Sequence, residues 1–100
     1  MTGLRTHLKD RRAHWLFRFE CDGQVYTGGI GRFEDGRIAE VFINGAKVGT
    51  AAETNAQDAA IVASLALQHG CSAETIGHAL ARSGGSAGPL ATLLRLVADT

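Results

Sequence analysis

The fold is decided by residues 37–50, which read RIAEVFINGAKVGT. Along residues 37–44 two sets of side chains alternate, and this period of two is typical of a β-strand. Both sets contain large apolar residues, so the sequence predicts that this strand lies at the centre of a sheet. Asn44-Gly45 is a strong hairpin signal, which predicts a short fourth strand over residues 46–51.

Two strands are predicted upstream of this stretch. Residues 14–21 place one set of apolar side chains on the same side of an extended chain: Trp15, Phe17, Phe19 and Cys21. Asp22-Gly23 then predicts a tight turn into a strand over residues 24–33. That strand contains Gly28, Gly29 and Gly31, which indicate a bulge or a close backbone approach. The connections are too short for parallel crossovers, so the strands form an antiparallel meander.

The apolar spacing becomes helical after residue 52. Thr54 or Asn55 is a suitable cap for a first helix, and Gly70 is placed to end it in the left-handed conformation. Apolar residues cover much of the circumference of this helix, which predicts that it is buried at the centre of the molecule.

Two shorter helices follow. Ser72 can cap the first, over residues 73–82, and Pro89 suits the first turn of the second. The last helix has one apolar stripe, made of Leu90, Leu93, Leu94 and Val97. The predicted fold class is therefore α+β, with a meander of three to four strands followed by three helices packed on one face.

Composition narrows the functional classes. The chain has 100 residues, 45% apolar and 20% charged, with a formal net charge of zero. These values predict one soluble domain, over residues 14–100, behind a flexible basic tail, residues 1–13. A neutral chain without a long apolar stretch is not expected to bind membranes. Cys21 and Cys71 make no disulfide framework, which favours a reducing cytoplasm.

No motif predicts a reaction centre. The glycines of the second strand lack the lysine and the following helix of a phosphate-binding loop. His69, Cys71 and His78 lack the spacing of a zinc site, so no metal is expected. Cys71 precedes a helix start, where a thiolate would be stabilised, and this makes a thiol enzyme one of the alternatives.

Three segments resemble the TSCPD domain, which occurs in the C-terminal region of cobalamin-dependent (class II) ribonucleotide reductases and as short stand-alone bacterial proteins. They are GRIAEVFI (36–43), KVG (47–49) and SLALQHG (64–70). The resemblance singles out nine motif residues with structural or interface roles: Gly36, Glu40, Phe42, Lys47, Gly49, Ser64, Leu67, Gln68 and Gly70.

The resemblance implies an accessory module without catalytic residues. Radical reduction of a ribonucleotide needs a large barrel and redox cysteines, and cobalamin contacts lie in other parts of those enzymes, so no cofactor is expected here. The Thr-Ser-Cys-Pro-Asp stretch that names the family is absent from this chain. Cys71 stands where the reductase pattern usually has valine, and it inherits no redox role.

Three functions follow from these observations. The first is a non-catalytic interaction module that binds a protein or a second copy of itself through the sheet face opposite the helices, where Leu16 and Val41 are expected. The second, nucleic-acid or nucleotide binding, would use the basic tail with strand residues. Those residues are Arg18, Arg32, Arg37, Tyr26 and Phe33. The third is the thiol enzyme based on Cys71.

Overall fold

The computed structural model describes residues 14–45, 47–82 and 88–98. The predicted basic tail and residues 83–87, which join the last two helices, therefore lie outside the described residues. Within them, three strands precede three helices. The elements are β1 (His14–Cys21), β2 (Gln24–Arg32), β3 (Ile38–Gly45), α1 (Ala51–Gln68), α2 (Ala73–Arg82) and α3 (Pro89–Ala98).

The strands form an antiparallel sheet in the order β1-β2-β3, which confirms the α+β meander. The central strand is β2, so the prediction that β3 is central was wrong. β3 has apolar residues on both faces because Val41 and Ile43 are buried in the core, while Phe42 lies over Gly29 on the opposite face. The predicted fourth strand was also wrong, since the described residues 47–50 form a turn that leads directly into α1.

The turn and glycine predictions are confirmed. Asp22 and Gly23 have φ values of 51° and 76°, as a two-residue hairpin turn requires. A Cβ on Gly28 would lie 2.8 Å from Leu93 Cδ1, so α3 packs against the bare backbone of β2 at this point. The register between β2 and β3 shifts at Gly31, which is the predicted irregularity.

The core lies between the helices and one face of the sheet. Ile30, Ile43 and Leu93 are its largest fully buried side chains. All four residues of the predicted stripe of α3 are buried. Trp15 was predicted to lie with this core, but 55% of its surface is exposed. The β1 residues in contact with α3 lie at the other end of the strand, so α3 leaves Trp15 uncovered.

Helix α1 differs most from the prediction. It begins at Ala51 with Thr50 as its cap, and the Glu53 N–H donates to Thr50 Oγ1 at 3.3 Å. Its buried stripe is made mainly of small side chains, while Ile61 and Val62 are 60% and 66% exposed. The helix is therefore not buried all round. Small side chains let it approach β3 closely, and the larger strand residues fill the core.

The ends of the helices agree with the sequence. Gly70 has a φ of 100° immediately after the end of α1. Ser72 Oγ accepts the Thr75 N–H at 3.0 Å and caps α2, whose bounds are those predicted. Among the described helices, none combines the length and the apolar character needed to cross a bilayer.

Candidate functional site

Helix α1 lies along the outer edge of β3 and is hydrogen-bonded to it. The Val41 N–H donates to Ser64 Oγ at 2.9 Å, and the same hydroxyl donates to the Val41 carbonyl oxygen at 2.8 Å. One turn further along, Gln68 Nε2 donates to the Ala39 carbonyl oxygen at 3.2 Å. These bonds occupy backbone groups that an edge strand would otherwise leave open to another strand. We call this contact the β3–α1 seam.

The seam explains part of the TSCPD-like motif. Ser64 and Gln68 supply its hydrogen bonds, and Gln68 is itself buried with 3% exposure. Leu67 lies between them in sequence and packs in the core. Gly70 ends the helix just beyond the last of these contacts. Four of the nine motif residues therefore fix α1 to the sheet.

Three other motif residues shape the backbone around β3. Gly36 and Gly49 have φ values of 94° and 80°, which favour glycine. The Gly49 N–H donates to Glu53 Oε1 at 3.1 Å, in the first turn of α1. The Lys47 carbonyl oxygen accepts a bond of 2.6 Å from Thr50 Oγ1. These contacts place the cap at the right position for α1 to return along β3.

The remaining two motif residues, Glu40 and Phe42, lie on the sheet face opposite the helices. The Phe42 ring covers Gly29, where a Cβ would overlap the ring and would also lie 3.1 Å from Leu16 Cδ2. The Glu40 side chain covers Gly31 in the same way, with Oε1 2.9 Å from a Cβ position. The glycines of β2 therefore form a flat floor on which these side chains rest.

Phe42 joins the exposed side chains of two elements into one apolar surface. Leu16 meets it above Gly29, and Ile61 and Leu65 of α1 line the same groove beside β3. Leu16 is 68% exposed, Ile61 60% and Leu65 41%. We call Leu16, Phe42, Ile61 and Leu65 the open-face patch. Contiguous apolar surface of this kind on a small domain is typical of a contact site.

This surface agrees only in part with the one that the sequence predicts. Leu16 was placed correctly, but Val41 is 3% exposed and points into the core, because it alternates with Phe42. Ile61 and Leu65 were assigned to a buried helix. The signal that could have corrected this is the spacing of the small and buried residues, which recur at intervals of three or four along one stripe. They are Ala56, Ala60, Ala63 and Leu67.

The side chains proposed for nucleic-acid binding are distributed over different surfaces. Tyr26 stacks on Phe19 in the core, with ring centroids 5.6 Å apart, and burial is the main cause that raises the pKa of its phenol. Arg37 lies over the Phe33 ring at 4.9 Å, at the turn between β2 and β3. Arg18 is at the opposite end of the sheet, in the row of Thr27 and Asn44.

The two arginines of the turn are already engaged. Arg37 Nε donates to Asp35 Oδ2 at 2.7 Å, and Arg32 Nη1 donates to the Gly36 carbonyl oxygen at 2.8 Å. An arginine bonded in this way has fewer donors left for a phosphate. The described residues therefore do not assemble the predicted platform of arginines and aromatic rings.

Cys71 is half-buried and lines a small cleft of about 250 Å³ together with Arg32 and Arg37. Its thiol lies 3.7 Å from the Ser72 carbonyl oxygen. His69 and His78, the histidines nearest to Cys71 in sequence, do not line this cleft, so it offers the thiol no histidine base. Within residues 14–45, 47–82 and 88–98, no three His, Cys, Asp or Glu side chains converge as metal ligands would.

The sequence of this chain matches one protein family. The family model described as TSCPD domain matches residues 5–99, essentially the whole chain. No curated protein and no solved structure matches the sequence. A match of this extent establishes that the chain belongs to the TSCPD domain family.

Proposed function

We propose that this domain is a non-catalytic interaction module, related to the C-terminal region of ribonucleotide reductases, that binds a protein partner through the open-face patch. The observation that carries the proposal is the continuity of Leu16, Phe42, Ile61 and Leu65 across β1, β3 and α1. Full burial of an exposed leucine or isoleucine side chain contributes about 1.5–3 kcal/mol, and Leu16 and Ile61, at 68% and 60% exposure, have more than half of their surface still to bury. Four adjacent side chains can therefore supply the central contact of an interface.

The groove beside β3 favours an amphipathic helix as the contacting element of the partner. Its lining includes the apolar side chains of Phe42, Ile61 and Leu65, beside polar ones such as Glu40. Gln57 and Asn44 also line it, and Gln57 Nε2 donates to Asn44 Oδ1 at 3.2 Å, so amide groups lie next to the apolar side chains. A helix inserts apolar side chains spaced by three and four residues into such a groove, and its polar flanks meet the border. Cys21 and Cys71 do not form a disulfide, which suits the reducing cytoplasm proposed as the location.

The test is capture of a partner by the purified domain and by single-site variants. Leu16→Lys and Ile61→Lys place a charge in the patch at exposed positions, so folding is preserved. Val48→Lys is the matched control, because Val48 is 85% exposed and lies outside the patch. We expect the domain and the Val48→Lys variant to retain a ribonucleotide reductase subunit from the host extract, and the two patch variants to lose it.

Binding must then be reproduced with the purified reductase subunit. A dissociation constant at least tenfold weaker for the patch variants would support the proposal, since tenfold corresponds to about 1.4 kcal/mol. Equal binding by all variants would show that the patch is not the contact. Absence of binding by the unmodified domain would exclude the reductase as the partner.

A further inference from the structure

The two edges of the sheet are not equivalent. Val41 directs its N–H and carbonyl groups away from β2 and toward Ser64. In an antiparallel ladder, the side on which these groups point alternates from one residue to the next. Val41 pairs with Ile30, and Ile30 pairs with Trp15. The backbone N–H and carbonyl groups of Ile30 therefore point toward β1, and those of Trp15 point toward β2.

The alternation fixes which groups of β1 face outward. Every second residue of β1, starting from Leu16, therefore directs its N–H and carbonyl groups to the outer side of the strand. These residues are Leu16, Arg18 and Glu20. The two-residue turn at Asp22-Gly23 gives the same result, because it makes Cys21 and Gln24 a hydrogen-bonded pair. No described strand pairs with this outer edge.

We propose that β1 pairs antiparallel with β1 of a second copy of this chain, across a two-fold axis, so that the sheets of the two copies become continuous. Symmetric pairing of this kind is self-complementary, as a two-fold interface requires. The proposal concerns the backbone edge of β1 rather than the open-face patch, and it goes beyond the proposed binding of a protein partner. The open-face patches of the two copies would lie on the same side of the combined sheet.

Charge selects the register of this pairing. Arg18 and Glu20 are both exposed, and they lie on the same face of β1 because they are two residues apart. With the axis at Phe19, each Arg18 is opposite Glu20 of the second copy. With the axis at Arg18 or at Glu20, like charges would face each other, which destabilises a pair of strands. The structure therefore favours the register centred on Phe19.

Charge reversal tests the pairing by sedimentation velocity over a micromolar concentration range. Arg18→Glu and Glu20→Arg each turn both cross-strand pairs repulsive, and we expect each to weaken the dimer by about tenfold or more. The double variant restores opposite charges in the same register and should recover the affinity. Ile61→Lys alters the open-face patch but not the edge, so it should leave the dimer intact even though it abolishes partner binding.

Amide hydrogen exchange gives an independent measurement on the unmodified chain. The Arg18 and Glu20 amides should become protected as the concentration rises, while those of Phe17 and Phe19 are protected at all concentrations. A chain that stays monomeric, or a dimer insensitive to both charge reversals, overturns the proposal. Protection of Arg18 and Glu20 in the monomer would also overturn it, because the outer edge of β1 would then be covered without a second copy.

Discussion

A single hydroxyl group, that of Ser64, bonds to both backbone groups of Val41, with distances of 2.9 Å to the nitrogen and 2.8 Å to the oxygen. One side chain thus replaces the two hydrogen bonds that a fourth strand would have made at this residue. This explains why a sheet of three strands can end at β3 without a further strand beside it.

Replacement of Ser64 by alanine should destabilise the fold. Ser64→Ala leaves the N–H and carbonyl of Val41 without partners in a partly buried seam, and an unsatisfied buried group costs about 1–3 kcal/mol. Urea unfolding measures this as a lower midpoint. Thr54→Ala removes a hydroxyl from an exposed position of the same helix and should leave the midpoint nearly unchanged. Equal midpoints for the two variants would mean that water replaces Ser64 at no cost.

Substitution of Gly28 tests the close approach of α3 to the sheet. A Cβ at this position would lie 2.8 Å from Leu93 Cδ1 and 2.9 Å from Phe19 Cε1. Overpacking of a rigid core costs about 1–3 kcal/mol, so Gly28→Ala should lower the thermal unfolding midpoint.

A second glycine provides the control for this measurement. Gly77 lies within α2 and has no neighbouring atom within 4 Å of a Cβ position. Gly77→Ala should therefore raise the stability, by about 0.5–1 kcal/mol, because alanine loses less backbone entropy in a helix. If Gly28→Ala raised the midpoint as Gly77→Ala does, the packing of Leu93 on β2 would be wrong.

The start of α1 can be located by two further alanine substitutions. Thr50 accepts the Glu53 N–H, so Thr50→Ala should cost about 0.5–2 kcal/mol, as loss of a helix cap does. Asn55, one of the caps predicted from the sequence, lies inside the helix and is exposed. Asn55→Ala should be neutral or slightly stabilising in urea unfolding. A larger loss of stability for Asn55→Ala than for Thr50→Ala would show that Asn55 is the helix cap, as the sequence predicts.

The stability contributed by the turn between β2 and β3 depends on pH in the acid range, because Asp35 titrates there. The Arg37 backbone N–H is the main cause that lowers the pKa of Asp35 below 3.8, and the Arg37 side chain adds to it. The pKa of Asp35 is lower in the folded chain than in the unfolded chain. The bonds between Asp35 and Arg37 therefore contribute fully to the free energy of unfolding above the unfolded pKa, and this contribution is lost as pH falls through the folded pKa.

Carbon-detected NMR titration should show the Asp35 carboxyl group titrating below pH 3.8. Arg37→Gln should raise this pKa only part of the way, because the backbone N–H still donates. Arg82→Gln, on α2, removes a distant positive charge and should leave the Asp35 titration unchanged. A titration of Asp35 that was the same with and without the Arg37 guanidinium would show that the side-chain bond has no influence in solution.

The sequence predicted the elements that depend on local chemistry. Asp22-Gly23, Ser72 and Gly70 each fix a turn or a helix end through their own backbone preferences, and all three are found as predicted. The stripe of α3 follows from its spacing alone. The predictions were wrong where contacts between residues distant in sequence determine the secondary structure. Asn44-Gly45 ends a strand here without starting another, since Gly45, with a φ of 109°, turns the chain toward α1.

The candidate site was harder to predict for the same reason. A run of alanine, isoleucine and leucine is compatible with burial on any side of a helix. Which side is buried depends on the partner, and β3 requires small side chains with Ser64 and Gln68 among them. Ile61 and Leu65 are exposed as a consequence, and only the three-dimensional arrangement shows that they adjoin Phe42.

The β3–α1 seam also sets a limit on assembly. Edge-to-edge association needs free backbone groups at both margins of a sheet if it is to continue from one molecule to the next. Here the protein's own helix lies along one margin and bonds to backbone groups of Ala39 and Val41, so the proposed pairing through the other margin would stop after a single step. The same hydroxyl that ends the sheet would thus protect this small, partly apolar domain against forming open-ended fibres.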